Sequence, residues 1–113
     1  MLPIQYRLKL KSDFSRTYSR GKSIANYFAV VYVYKTGTQT KIGFSVSKKV
    51  GKSAVRNRTK RLFRESTRLM LPEIADGYNV VVIVRNKAVG AGLVEVSAAL
   101  SGLFRKSGLI CGG

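Results

Sequence analysis

Residues 79–85, Asn-Val-Val-Val-Ile-Val-Arg, constrain the fold of this chain more than any other stretch. Five consecutive β-branched residues, Val80 to Val84, favour an extended backbone. Strand side chains alternate between two faces, so a run without polar alternation has to be buried on both. It is expected as the central strand of a sheet, and the rest of the chain has to cover it. With 113 residues, 45% of them hydrophobic, the chain can do so as a single domain, 1–113, around one core.

The flanking segments supply the covering elements. Ser12-Asp13 predicts a cap for a short helix over 13–20 that ends at Gly21, with Phe14 and Tyr18 on one side of it. Residues 22–36 read as extended, with a weakly defined strand near 22–26 and a clear run from Phe28 to Tyr34. Along that run Phe28, Val30, Tyr32 and Tyr34 alternate with Ala29, Val31 and Val33, so both faces are apolar and one is aromatic. Thr36-Gly37-Thr38 predicts a hairpin connection to a strand over 41–47. That strand has Ile42, Phe44 and Val46 on one face. Lys41, Gly43, Ser45 and Ser47 form a solvated or ligand-facing surface on the other.

Residues 53–71 carry the strongest helical periodicity. Val55, Thr59, Leu62, Phe63, Ser66, Leu69 and Met70 share one arc, and Arg56, Asn57, Lys60, Arg61, Arg64 and Arg68 the opposite one. Pro72 and Gly77 end the element. A last helix over 93–106 offers Leu93, Val96, Leu100, Leu103 and Phe104 to a core, weakened by Gly102. The predicted order is α-β-β-β-α-β-α, an α/β (α+β) fold with a four-stranded sheet and three helices. Residues 109–113, ending Cys111-Gly112-Gly113, are expected to be a frayed tail.

Charge restricts function as tightly as hydropathy restricts fold. Twenty-one Lys and Arg face five Asp and Glu, a net charge of +16. Residues 1–68 hold 17 of the basic residues with only Asp13 and Glu65, so the excess is a surface rather than an even solubilising coat. A bound polyanion is its natural compensation. Nine basic residues fall between Lys48 and Arg68. An ordinary solvated helix face interleaves acids with bases, whereas this one offers Glu65 alone. Arg56/Lys60, Lys60/Arg64 and Arg64/Arg68 place like charges four residues apart, which destabilises an isolated helix and is offset by phosphates.

Asn57, between Arg56 and Arg58, adds a donor–acceptor group suited to a base edge or a 2′-hydroxyl. Gly51 would let backbone N–H groups approach an anion. Gly51-Lys52-Ser53 is not the end of a nucleotide-phosphate loop, because Val46 stands where the upstream glycine is needed. Phe14, Tyr18, Phe28, Tyr32 and Tyr34 are open to two readings, as core residues or as stacking platforms for unpaired bases.

Other functions are excluded by what is scarce. There is no histidine, Cys111 is the lone cysteine, and Asp13, Glu65, Glu73, Asp76 and Glu95 are scattered. No catalytic residue, metal site or disulfide framework is legible. No stretch reaches the ~18–20 apolar residues of a membrane span, and Arg7, Lys9 and Lys11 interrupt any signal-peptide core. The expected compartment is the cytoplasm, with neither a membrane nor a small-molecule substrate as partner.

The segment Phe44-Ser45-Val46-Ser47-Lys48-Lys49-Val50-Gly51-Lys52-Ser53-Ala54-Val55-Arg56-Asn57-Arg58-Thr59-Lys60-Arg61-Leu62-Phe63-Arg64-Glu65 resembles the signature of the bacterial ribonuclease P protein subunit, centred on Arg-Asn-Arg. Arg7-Leu8 with Asp13-Phe14 is similar to that family's opening helix, and Val82-Ile83-Val84-Arg85 to its late central strand. The resemblance implies a left-handed βαβ crossover like that of a ribosomal protein domain, although right-handed crossovers are the general rule.

It also implies two partners, the ribonuclease P RNA and precursor tRNA, whose 5′ leader is removed. Lys52, Arg56, Asn57, Arg58, Lys60, Arg61, Arg64 and Arg68 would face the catalytic RNA. Phe14, Tyr18, Val30, Tyr32 and Ser47, with Lys48 and Lys49 at the edge, would line a leader cleft. The chain alone would bind no cofactor. Magnesium would act in the holoenzyme at the RNA-rich site. A ribosomal or other structural RNA-binding protein is the alternative that composition also fits. An autonomous nuclease is opposed by the missing histidine and clustered carboxylates, and a DNA-binding module by the lack of a recognisable motif.

Overall fold

The computed structural model describes residues 3–110. Helix α1 (Lys11–Arg20) is followed by strands β1 (Lys22–Ala25), β2 (Ala29–Lys35) and β3 (Lys41–Val46). Helix α2 (Ser53–Met70), strand β4 (Tyr78–Val84) and helix α3 (Leu93–Lys106) complete the order expected from the sequence. Helix α1 starts two residues earlier than its Ser12-Asp13 signal. Leu10 occupies the cap position without a side-chain hydrogen bond, and Asp13 lies in the first turn.

The strands lie in the order β1-β2-β4-β3. β4 is central, antiparallel to β2 and parallel to β3. The hairpin expected at Thr36-Gly37-Thr38 is therefore not one. Gly37 does turn the chain, with φ 78°, but β2 and β3 are separated by β4. The Val80–Val84 run gains most from being covered on both faces and flanked on both edges, so it takes the middle position. The turn is tied to the start of β4 instead: the N–H groups of Thr36 and Gly37 donate to the Gly77 carbonyl at 2.8 and 3.1 Å. Buried Thr40 closes the same corner. Its N–H donates to Asp76 Oδ1 at 2.9 Å, its hydroxyl to the Ala75 carbonyl at 2.7 Å, and it accepts from the Tyr78 N–H at 3.1 Å.

Helices α2 and α3 cover one face of the sheet. Ala29, Val31, Val33, Ile42, Phe44, Val80, Val82 and Val84 meet Phe63, Met70, Val96, Leu100, Leu103 and Phe104 in the main core. Ser66, fully buried on α2, accepts from the Ser97 hydroxyl of α3 at 3.1 Å, so the small polar residue on the apolar arc is satisfied across the helix interface. Two details of that arc differ from expectation. Leu69 is 52% exposed, while Thr67 is buried and its hydroxyl donates to the Phe63 carbonyl at 2.9 Å. Leu109 and Ile110, assigned to a frayed tail, are instead buried. Ala75 donates to the Leu109 carbonyl at 2.7 Å, and Ile110 bridges Ile74. Their side chains find core volume beside α3, which a terminal position does not reveal. Cys111-Gly112-Gly113 lies outside the described residues.

Helix α1 crosses the other face, from β3 toward β1. Its position depends on two glycines. A Cβ on Gly43 would stand 2.4 Å from Phe14 Cζ, so Gly43 is buried under that ring rather than solvated as its strand pattern suggested. A Cβ on Gly21 would stand 2.5 Å from the Thr17 carbonyl oxygen and 2.8 Å from that of Val33. Gly21 ends α1 in an extended conformation, φ −77°, so close approach rather than a left-handed backbone requires glycine there. Gly21→Ala would ordinarily add about 0.4–1 kcal/mol by restricting the unfolded chain. Here it is expected to destabilise by roughly 1–3 kcal/mol through overpacking against backbone that cannot yield. Urea denaturation of the two chains checks the sign.

Candidate nucleic-acid interface

Register decides which strand residues the α1 face presents. One row across the sheet contains Ser23, Tyr32, Val81 and Gly43, and the next contains Ala25, Val30, Ile83 and Ser45. α1 lies over the first row. Phe14 seals Gly43, and the Tyr18 ring meets Tyr32 edge-on at 5.1 Å, with Phe14 and Tyr18 6.4 Å apart. The second row is not sealed in this way, and Val30, Ile83 and Ser45 are half-buried. A cleft results, with an aromatic wall on α1 and a floor of Val30, Ile83 and Ser45. Where β3 ends, Ser47, Lys48 and Lys49 are all exposed.

Phe14, Tyr18 and Tyr32 thus stand together, with Val30 in the adjacent row of the same face and Ser47, Lys48 and Lys49 where β3 ends. Ile83 and Ser45 were missed, because only strand pairing shows that they flank Val30. Tyr34 shares the face but lies on the far side of the Tyr32 row, and Phe28 packs against the main core. At the same end of the sheet Tyr27 is 66% exposed with Lys87 Nζ 5.4 Å above its ring, and Arg85 donates to the Asn26 carbonyl at 3.1 Å. These add basic and aromatic side chains at that end of the sheet beyond the residues singled out from sequence.

The chain reaches α2 directly from β3 through a turn at Lys48–Val50 and Gly51, which has φ 154°. The Gly51 N–H donates to the Lys48 carbonyl at 3.3 Å, so its own N–H is engaged within the turn. Lys52, Asn57, Arg58 and Arg61 are exposed. Arg56 is half-buried. Its Nη2 donates to Ser53 Oγ at 3.1 Å, while its Nε is buried without a hydrogen-bond partner. Lys60 and Arg64 line a cavity of about 250 Å³ at the outer edge of β3, together with Arg7 and Lys9. Leu8 is pinned there by donating its N–H to the Ile42 carbonyl at 3.1 Å.

Burial, then the charge of Arg64, lowers the Lys60 pKa; burial, then the charge of Arg7, lowers that of Arg64. Arg7, likened from sequence to an opening helix, instead precedes α1, and with Lys9 it joins this cluster from a segment that sequence alone did not connect to α2. Arg68 differs from its neighbours. Its Nε donates to both Glu65 carboxylate oxygens at 3.1 Å, and this hydrogen bonding holds Glu65 at a pKa of about 2. The arrangement can seat phosphates along α2 and the flat ring faces of unpaired bases in the cleft.

Known proteins resemble this chain in both sequence and fold. The family model described as Ribonuclease P matches residues 2–108. The ribonuclease P protein component of Symbiobacterium thermophilum is 43% identical over 107 residues, covering 93% of each chain. The structure of the Staphylococcus aureus RNase P protein superposes with a TM-score of 0.85 at 31% identity, over 93% of this chain and 97% of that one. That of the Thermotoga maritima RNase P protein gives 0.81 at 33% identity, over 88% and 96%.

The charge pattern makes two predictions. Lys60→Gln removes a half-buried cation opposed by a like charge four residues away, so the free chain should gain up to about 0.5 kcal/mol. The same change should weaken binding to RNA, and opposite signs in a thermal melt and a binding titration check the pair. For Glu65 the folded pKa lies below the ordinary 4.5, so its contribution is complete above that value and lost as pH falls from 4.5 toward about 2. Glu65→Gln should flatten acid unfolding within that window, as followed by circular dichroism.

Proposed function

The chain belongs to the ribonuclease P protein family, serving as the protein subunit in tRNA 5′ processing, and on that premise we propose how its surfaces divide the work. The α2 face (Lys52, Arg56, Asn57, Arg58, Lys60, Arg61 and Arg64) binds the ribonuclease P RNA. Arg68, held by Glu65, sits at its margin. The cleft takes the 5′ leader of precursor tRNA, with Phe14, Tyr18 and Tyr32 forming its wall, Val30 its floor, and Ser47, Lys48 and Lys49 the phosphate-binding edge. One observation carries this reading: an acid-poor helix and an aromatic-walled cleft leave the same end of one sheet on different faces. A single chain can therefore hold two RNA strands side by side. A ribosomal or other structural RNA binder would need the basic helix but not the cleft.

Hydrolysis falls to the RNA with magnesium in this reading, and the carboxylates of this chain support that assignment. Asp13 lies 4.0 Å from Arg16, Glu65 is held by Arg68, Asp76 accepts from the Thr40 N–H, and Glu95 from the Gly92 N–H at 3.2 Å. Among the described residues no three acids or other ligand-type side chains converge. Such a set does not fit a catalytic magnesium ion, so no step is assigned to one held by the protein. The protein instead screens phosphate repulsion and orients the leader. Its working compartment is then the cytoplasm, and among the described residues no helix is long and apolar enough to cross a membrane.

Replacing Arg56, Arg58 or Arg61 with Ala should weaken binding to ribonuclease P RNA and reduce its salt slope by roughly one unit for each phosphate left without its cation. Tyr32→Ala should leave that binding intact but cost about 1–3 kcal/mol for leader-bearing substrate if one base is stacked there. Thermal melts separate this loss from the cost of an emptied aromatic site. Impairment of the same step by both variant classes would overturn the division.

The decisive test is reconstitution. The chain alone should leave precursor tRNA uncut. With a bacterial ribonuclease P RNA at low millimolar magnesium, it should restore cleavage at the mature 5′ end and favour substrates that carry a leader. Cleavage by RNA-free protein, or no protein effect at low magnesium, would sink the proposal.

A further inference from the structure

A second basic depression, of about 830 Å³, lies at the opposite end of the sheet from the open Val30–Ile83–Ser45 row. It wraps the edge where β1 and β4 begin and β2 ends. Arg20 enters from the end of α1, Lys106 from the end of α3, and Lys22 and Lys35 from the strands. Tyr34 and Tyr78, both half-buried, add two ring surfaces. No Asp or Glu lines it, and among the described residues none of its four cations has an acidic partner. The last-turn positions of Arg20 and Lys106 suit helix dipoles and explain those two cations locally. Lys22 and Lys35 have no such explanation, and cations gathered on a concave surface without acids focus a positive potential.

The geometry points to this groove as a second docking site for the precursor tRNA leader, taking nucleotides farther from the cleavage site than those in the cleft. This inference rests on the leader reading above and extends it. The occupant follows from continuity. The open row runs from Ser45 across β4 and β2 to Ala25 on β1, which is paired on one side only. A strand laid along that row leaves the cleft at β1. From Ala25 the unpaired edge leads back to Lys22, about 10 Å away at ~3.4 Å per residue, a distance a few nucleotides span. There the phosphates meet Lys22, Lys35, Arg20 and Lys106, and a base can rest against Tyr34 or Tyr78.

The test uses the reconstituted holoenzyme with precursor tRNAs that have no leader, a leader just long enough to fill the cleft, or one several nucleotides longer. Lys22→Gln/Lys35→Gln changes two exposed side chains and should melt like the parent. Lys106→Gln reports on the same groove from α3. Affinity should fall only for the longest leader. With one phosphate neutralised by each of the two replaced lysines, the parent's advantage should shrink about sevenfold when monovalent salt rises fourfold, at ~0.7 per single-strand phosphate. Unchanged affinity for the longest leader in both variants would overturn the inference. Equal loss for all three substrates, leaderless included, would also overturn it by placing the groove against another part of the complex. If the parent chain gains nothing from any leader, the leader reading itself fails. If the parent gains and the variants match it, only the second site fails.

Discussion

The pairing of β4 with two different neighbours holds this molecule together. β2 meets it antiparallel and β3 parallel, and a parallel neighbour joined directly in sequence requires a crossover. α2 is that crossover. The helix carrying Arg56, Asn57 and Arg58 is thus joined to edge strand β3 at one end and to the central strand at the other, and its apolar side, with Phe63 and Met70 buried, forms part of the main core. A basic helix crowded with like charges would be a poor helix alone. Here burial of one face against the sheet overrides repulsion on the other.

The same sheet organises the opposite face with far less material. Among the described residues only helix α1 covers it, crossing one row of residues and leaving the next half-exposed. Close contact at Gly43 and Gly21 sets how near the helix lies, and that distance turns a covered sheet into a cleft with an aromatic wall. The buried hydroxyl of Thr17, donated to the Asp13 carbonyl at 2.7 Å, lets α1 rest on the strands without an orphaned polar group. The Tyr18–Tyr32 pair that helps seat the helix also lines the half-open row, so the proposed leader site would draw on the same contacts as stability.

Electrostatics works against the free protein. Lys60, Arg64, Arg7 and Lys9 line one small cavity, and burial there, with the charge of a neighbouring cation second, lowers the pKa values of Lys60 and Arg64. Among the described residues only Arg68 has its charge answered on α2, by Glu65. A surface kept in this state is poised for phosphate, which relieves repulsion that the fold itself leaves standing.

Much of this was legible in the residues. The β-branched run dictated a doubly covered central strand, the 3.6-residue periodicity of 53–71 and 93–106 marked both core helices, and the scarcity of acids named a polyanion as partner. Spacing also placed Phe14 beside Tyr18. What no local pattern could carry was adjacency between distant segments. Thr36-Gly37-Thr38 has hairpin chemistry, yet β4 inserts between its strands, because the most apolar strand gains most by taking the centre. Ile83 and Ser45 join Val30, Gly43 disappears beneath Phe14, Arg7 and Lys9 reach Lys60, and Leu109 and Ile110 find core volume near the chain end. Each depends on register and close approach, and these are set only when the whole sheet is assembled. Composition and periodicity determined which elements form and what charge they present; tertiary packing alone decided which of those charges and rings stand together.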